Sequence, residues 1–243
     1  MNKGALHAMQ SLYYTLVSHL PFALMILISL PFHEFAHAFV ANRLGDDTAY
    51  YQGRLTLNPL AHLDLWGTLS MVLFGFGWAR PVPINPTRFR GNMRRGMALT
   101  ALAGPVANLI LSLLFLIFAK LLLLIGNASG LPFFFFCYWL FWTISFTNIL
   151  LAFFNLLPIP PLDGSRILNF FLPYRAQAAM DQLERYSFLI LLAVIFIDNR
   201  TGILSTLIRY AASGIFWLFD RATFFLGSAP GIPLSALLAQ MAG

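Results

Sequence analysis

Residues 17–44 read VSHLPFALMILISLPFHEFAHAFVANRL. The run exceeds the roughly 20 residues that carry a helix across a hydrocarbon core, and Gly45-Asp46-Asp47 ends it. Its last third holds His33-Glu34-Phe35-Ala36-His37, an H-E-x-x-H pattern. Positions i and i+4 share a helical face, so both imidazoles can address one metal ion with Glu34 beside it as general base. Ionisable residues inside a span are costly and mark function. The plain alternative is a pair of histidines satisfied by neighbouring helices. Leu16 to Phe32 is followed by no small-residue cleavage site, so the stretch is expected to be a retained span and not a signal peptide.

Composition widens the membrane reading to the whole chain. Of 243 residues, 59% are hydrophobic and 10% charged, against about 25% charged in soluble domains. Fifteen basic and nine acidic residues leave +6, with a pI near 9.8. The arginines sit between apolar runs, which fits positive-inside loops, and no nucleic-acid partner is expected. Cys137 is the single cysteine and lies within the apolar run Leu131 to Trp142. An internal disulfide or a cysteine zinc knuckle is therefore excluded, and a metal must use His, Asp or Glu.

Beyond the first span, Tyr50 to Pro86 disperses Gly53, Pro59, Gly67, Gly75, Gly77, Pro81, Pro83 and Pro86 among apolar residues, so it cannot be one plain transmembrane helix. Leu69 to Phe76 is too short to span, and Trp78 to Ile84 reads as an edge strand. Arg80, Arg88, Arg90, Arg94 and Arg95 form the densest basic cluster and are placed in the cytoplasm. Gly96 to Ile125 and Leu131 to Leu157 make a hairpin of two spans. Tyr186 to Ile197 and Ile203 to Leu226 supply one or two more. The fold class expected is an all-α polytopic membrane protein with about five (4–6) transmembrane helices and a short membrane-associated β or re-entrant segment around residues 50–86. Residues 1–243 form one integral membrane domain in this reading.

A catalytic zinc takes three protein ligands and leaves a fourth position for water. The extended H-E-x-x-H-x-x-G-x-x-H form fails because Val40 and Arg43 occupy its Gly and His positions. Glu184 lies beside Arg185 in a polar stretch and is the poorer candidate. Asp163 is the better one. It follows Pro158, Pro160 and Pro161, which break the preceding helix at membrane depth, where irregular backbone is tolerated only if buried in protein or lining a wet cavity. His62 and Asp64 are read as bracing a loop, with a bond to a metal ligand as the alternative. Gly104 and Asn108, four apart with Ala103 and Ala107 beside them, are read as a close-packing face.

His33-Glu34-Phe35-Ala36-His37, together with Asn155-Leu156-Leu157-Pro158-Ile159-Pro160-Pro161-Leu162-Asp163-Gly164, resembles the site-2 protease family of intramembrane zinc metalloproteases. That family's N-x-x-P-x-x-P-x-D-G motif is matched by Asn155, Pro158, Pro161, Asp163 and Gly164. Ala103 to Asn108 and Gly53 to Pro59, with His62 and Asp64, resemble segments of compact prokaryotic members, so the resemblance spans about Pro31 to Leu168. It implies one zinc held by His33, His37 and Asp163, Glu34 as catalytic base, and Asn155 near the scissile peptide. A transmembrane protein substrate and the lipid bilayer are the implied partners. The implied location is a bacterial plasma membrane, with the site toward the cytoplasm. The chain departs from larger members in lacking an insert long enough for a PDZ domain or a C-terminal regulatory domain. Ser165 stands where many members carry a second glycine. Two rivals remain at this point: a catalytically silent scaffold of the same fold, and a metal transporter.

Overall fold

The structure is a computed structural model that describes residues 19–21, 23–74, 79–229 and 231. Helix α1, His19–Arg43, carries the histidine motif. Pro31 has no N–H to give to the preceding turn, and the chain widens into a π turn at Met25–Ser29 before the regular segment begins at Leu30. Three short helices follow: α2 Thr48–Tyr51, α3 Pro59–His62 and α4 Leu65–Phe74. Asn58 accepts from Leu60 N to start α3, and Asp64 Oδ1 accepts from Gly67 N at the start of α4.

The scaffold is the antiparallel pair α5, Met93–Ser129, and α6, Pro132–Asn155. Asn92 caps α5 through Arg95 N, and Gly130, with φ +68°, closes its other end in the left-handed turn that favours glycine. At 37 residues, or about 55 Å, α5 is longer than a hydrocarbon core is thick. Leu111 and Phe115 pack against Trp139, Leu140 and Ile144 of α6, with Leu24 and Phe32 of α1 joining them. Lipid tails are as apolar as these side chains, so the helices also need polar ties. Ser145 Oγ donates to Ser112 O at 2.8 Å, and Asn148 Nδ2 donates to Ser29 Oγ of α1 at 2.9 Å.

Past α6 the chain turns through the proline run into α7, Asp163–Phe171. Gly164 has no room for a Cβ against the carbonyls of Leu156 and Leu157, so the start of α7 folds tightly back on the end of α6. Arg94 of α5 secures the other end by donating to Asn169 O, Phe170 O and Leu172 O. Helices α8, Tyr174–Glu184, α9, Ser187–Thr201, and α10, Ile203–Ala222, follow, with a single 3-10 turn at Phe224–Leu226 after them.

Two sequence expectations meet the structure here. His19–Arg43, Met93–Ser129 and Pro132–Asn155 are long and apolar enough to cross a membrane. The α9–α10 pair is bent by 85°, so the described residues give three such helices, or four if the pair is one broken span, the lower end of the four to six expected. Gly202, at φ +64°, ends α9 after 15 residues, about 22 Å, which is too short to cross alone. Among the described residues there is no strand. The segment read as an edge strand, whose Trp78 lies outside them, contributes one antiparallel bridge, Leu63 to Ala79. Pro81 and Pro83 lack the N–H groups a ladder needs.

Lys120, fully buried on α5, places Nζ 2.8 Å from Asp220 Oδ1 and donates to Asp220 O and Thr223 O at 3.0 and 3.2 Å. A cation thus closes the C-terminal end of α10. Lys120→Met should lower stability in detergent by about 3 kcal/mol, since Asp220 loses its cation and keeps only Ala229 N and partial solvation. Adding Asp220→Asn should recover part of that loss in thermal unfolding.

Candidate metal centre

Helix α1 presents His33 and His37 one turn apart, 7% and 5% exposed. Their Nε2 atoms lie 3.0 Å apart and their rings stand nearly perpendicular, at 87°. The tight turn at Gly164 brings the Asp163 carboxylate to them, with Oδ2 at 3.2 Å from His33 Nε2 and 3.3 Å from His37 Nε2. These three residues could hold a metal ion, each offering one ligand atom. Donors arranged tetrahedrally at zinc bond lengths of about 2.0–2.2 Å sit roughly 3.3–3.6 Å apart, so the observed spacing needs an opening of only tenths of an ångström. Asp163 Oδ2 is buried and accepts no hydrogen bond in spite of these close approaches. An orphaned carboxylate oxygen facing two imidazole nitrogens fits a cation between them. A metal would take the Asp163 carboxyl in its anionic form.

The outer nitrogens of both rings meet α5. His37 Nδ1 lies 2.7 Å from Thr100 O, which fixes the tautomer: Nδ1–H donates and Nε2 keeps its lone pair for a metal. His33 Nδ1 lies 3.0 Å from the Asn108 amide, whose Oδ1 has no partner. With that oxygen turned to the ring, Nδ1–H donates to it and both groups are satisfied. Between the two lies Gly104. A Cβ there would sit 2.5 Å from both His33 Cε1 and His37 Nε2. Thr100, Gly104 and Asn108 therefore form one stripe of α5 against the histidines. The expectation that Gly104 and Asn108 serve packing alone misses this contact. The missed signal was the polar residue four positions to either side of Gly104, Thr100 and Asn108.

Glu34, half-buried, accepts from Val82 N at 3.0 Å through Oε2. That bond anchors the extended segment beside the motif helix. Asn155 is not drawn into the cluster: its Nδ2 donates to Leu151 O within α6. His62 is fully buried with Nε2 2.8 Å from Thr56 O, and so braces its loop. Glu184, at the end of α8, is exposed and apart from the three donors.

Gly104→Ala should improve helix propensity yet crowd both rings. The expected result is a drop of about 10- to 100-fold in metal affinity with unchanged helix content, read by metal analysis after dialysis against a graded chelator and by circular dichroism.

The family model described as Peptidase family M50 matches residues 125–197, which include Asn155 and Asp163. The chain is 41% identical over 219 residues to "Putative zinc metalloprotease YwhC" of Bacillus subtilis, covering 86% of this chain and 95% of that protein. Proteins of the same description named Rip2 match at 32% in Mycolicibacterium smegmatis, over 84% of this chain and 76% of theirs. The Rip2 of Mycobacterium tuberculosis matches at 34%, over 80% of this chain and 71% of its own length. No solved structure matches. A chain that carries the histidine motif and Asp163 in contact, and that aligns at this identity over nearly all of a relative's length, belongs to peptidase family M50, the site-2 protease family.

Proposed function

We propose that this zinc metalloprotease is an intramembrane endopeptidase that hydrolyses a peptide bond within or near a transmembrane segment of a membrane-protein substrate. The carrying observation is that His33, His37 and Asp163 converge among helices long and apolar enough to cross a membrane. In this reading His33 Nε2, His37 Nε2 and Asp163 Oδ2 would hold one zinc, which when bound would supply Lewis-acid chemistry: a more acidic water and a polarised scissile carbonyl. Glu34 takes the proton from the attacking water and delivers it to the leaving nitrogen. Asn155, one residue before the turn that leads to Asp163, gives up its bond to Leu151 O and donates to the substrate backbone or the developing oxyanion.

A helical substrate hides its peptide bonds and must be unwound before attack. The segment ending at Ile84 stands beside Glu34, where an extended chain would lie. Its own donors are largely committed: Arg80 N binds His62 O, Val82 N binds Glu34, and Asn85 N binds Asp46 Oδ2. Carbonyl groups are thus its main offer to a substrate strand. Thr100, about 10 Å along α5 from Met93, and Asn155, at the last residue of α6, put the site at the arginine-rich end of both helices. Positive-inside logic makes that end cytoplasmic in this proposal, and the bacterial origin of the relatives supports a bacterial plasma membrane. Residues 1–243 act as one membrane domain in this proposal.

Detergent-purified protein should hold about one zinc per chain, as a mononuclear three-ligand site requires, and Asp163→Ala should lose it or bind it far more weakly. Absence of zinc in the wild type after refilling would sink the proposal. Glu34→Gln should keep zinc while cleavage of co-expressed transmembrane segments falls by about 10²–10⁴-fold. A silent scaffold would lose nothing.

A further inference from the structure

One peptide group between the motif helix and the following loops is held at both ends. Arg54, 6% exposed, lies in the turn after α2, and its Nη2 donates to Arg80 O at 2.5 Å and to Pro81 O at 3.3 Å. The other end of the Pro81–Val82 peptide is the Val82 N–H that binds Glu34 Oε2 at 3.0 Å. A cation therefore sits on the carbonyl and a carboxylate on the amide of the same group. Each polarises the peptide in the sense that strengthens the other contact.

The local sequence isolates this donor. Residues 81 and 83 are both proline, which lacks an N–H and holds φ near −65°, and a residue before proline is itself restricted to extended backbone. Val82 thus carries the one backbone donor in Pro81-Val82-Pro83 and has little freedom to swing it away. Its side chain is buried against Ala38 and Ala49. The segment is pinned on either side, by Arg80 N on His62 O and by Asn85 N on Asp46 Oδ2. Burying a guanidinium to serve two carbonyls is costly, and an apolar side chain would fill the space more cheaply. Arg54 makes no hydrogen bond to His33, His37 or Asp163, so the use left for its charge is the loop it grips.

We propose that Arg54 is a positioning residue for the reaction: with Glu34 it clamps the Pro81–Val82 peptide, and the clamp fixes the Glu34 carboxylate beside the metal-binding side chains. This rests on the reading of Glu34 as the base. One carboxylate oxygen is tied down by Val82, which leaves Oε1 to meet the attacking water. A base displaced by about 1 Å can lose 100-fold in rate, so the clamp acts on the chemical step and not on metal retention.

The test uses the full chain, zinc-loaded, in micelles or nanodiscs. Between residues 79 and 84 only Ala79, Arg80, Val82 and Ile84 carry amide hydrogens, so hydrogen exchange at Val82 can be resolved. Arg54→Ala should keep its zinc, speed Val82 exchange by at least about tenfold, and weaken acetohydroxamate binding by about 10- to 100-fold, because that probe gives its proton to the base as it binds. Arg54→Lys, which can still reach a carbonyl, should restore most of both effects. Glu34→Ala should release the Val82 amide with zinc retained, and Glu34→Gln should keep it protected, since the amide oxygen accepts the same bond.

Unchanged Val82 exchange in Arg54→Ala overturns the proposal, and so does faster exchange with unaltered hydroxamate affinity. If Arg54→Ala fails to fold and loses zinc, the decision falls to Glu34→Ala and Arg54→Lys. Val82 still protected in Glu34→Ala refutes the clamp, as does Arg54→Lys behaving no better than the unfolded variant. Failure of the base reading is separate: Glu34→Gln would then cleave like wild type whatever its exchange pattern.

Discussion

A carboxylate brought among membrane helices must find partners there, because hydrocarbon offers none. Asp163 sets that demand, and much of the surrounding backbone answers it. The proline run ends α6, Gly164 lets α7 start against the carbonyls it leaves, and Arg94 holds the far end of α7. The same requirement explains why two histidines face a groove of α5 floored by glycine. Any larger residue at 104 would push the imidazoles off the carboxylate. A site of three donors thus depends on two glycines that contribute no chemistry, each at a place where a helix approaches another part of the chain too closely for a Cβ.

The irregular stretch between α1 and α5 follows the same rule. Loop backbone near a membrane site is viable only when its polar groups are satisfied by protein. Asp46, fully buried at the end of the motif helix, takes Thr48 N and Asn85 N, and Leu44 O takes Arg90 N. These bonds tie the loop to the helix that carries the histidines, so the loop and the base move as one body. A strand ladder would have left one edge open. Proline at 81 and 83 prevents the ladder, and buried side chains take over its role.

The histidine pair and Asp163 were legible because each rests on local geometry: i and i+4 on a helix, and an aspartate after a proline break. The α5–α6 hairpin was legible from two apolar runs around a short turn. Long-range contacts were not. Gly104 and Asn108 read as a packing face because small residues at four-residue spacing are common wherever membrane helices touch, and only the fold reveals which helix they touch. Composition leaves open whether the last two apolar runs make one span or two, and the chain bends by 85° between them at Gly202, a residue at positive φ. The edge strand rests on weak alternation, with its prolines tolerable at an edge, and two prolines in three residues leave pairing at one bridge, Leu63 to Ala79. Asn155 matches the family motif, yet its amide lies along its own helix, a rotamer choice that sequence does not encode.

Helix α5 links these features through a single stripe. Thr100, Gly104, Asn108, Ser112, Leu116 and Lys120, each four residues from the last, are all buried. A step of four residues overshoots a full turn by about 40°, so five steps carry the stripe about 200° around the helix. It faces the histidines of α1 at Thr100 to Asn108, meets Ser145 of α6 at Ser112, and reaches Asp220 of α10 at Lys120. One row, polar or small except at Leu116, thereby binds three different helices in turn. Each contact is a group that lipid could not satisfy, so rotating α5 about its axis would break all of them together. The metal-binding side chains are therefore held by the registry of the whole bundle as well as by their immediate neighbours, with a buried lysine about 30 Å along the helix from Thr100 as the far end of the same constraint.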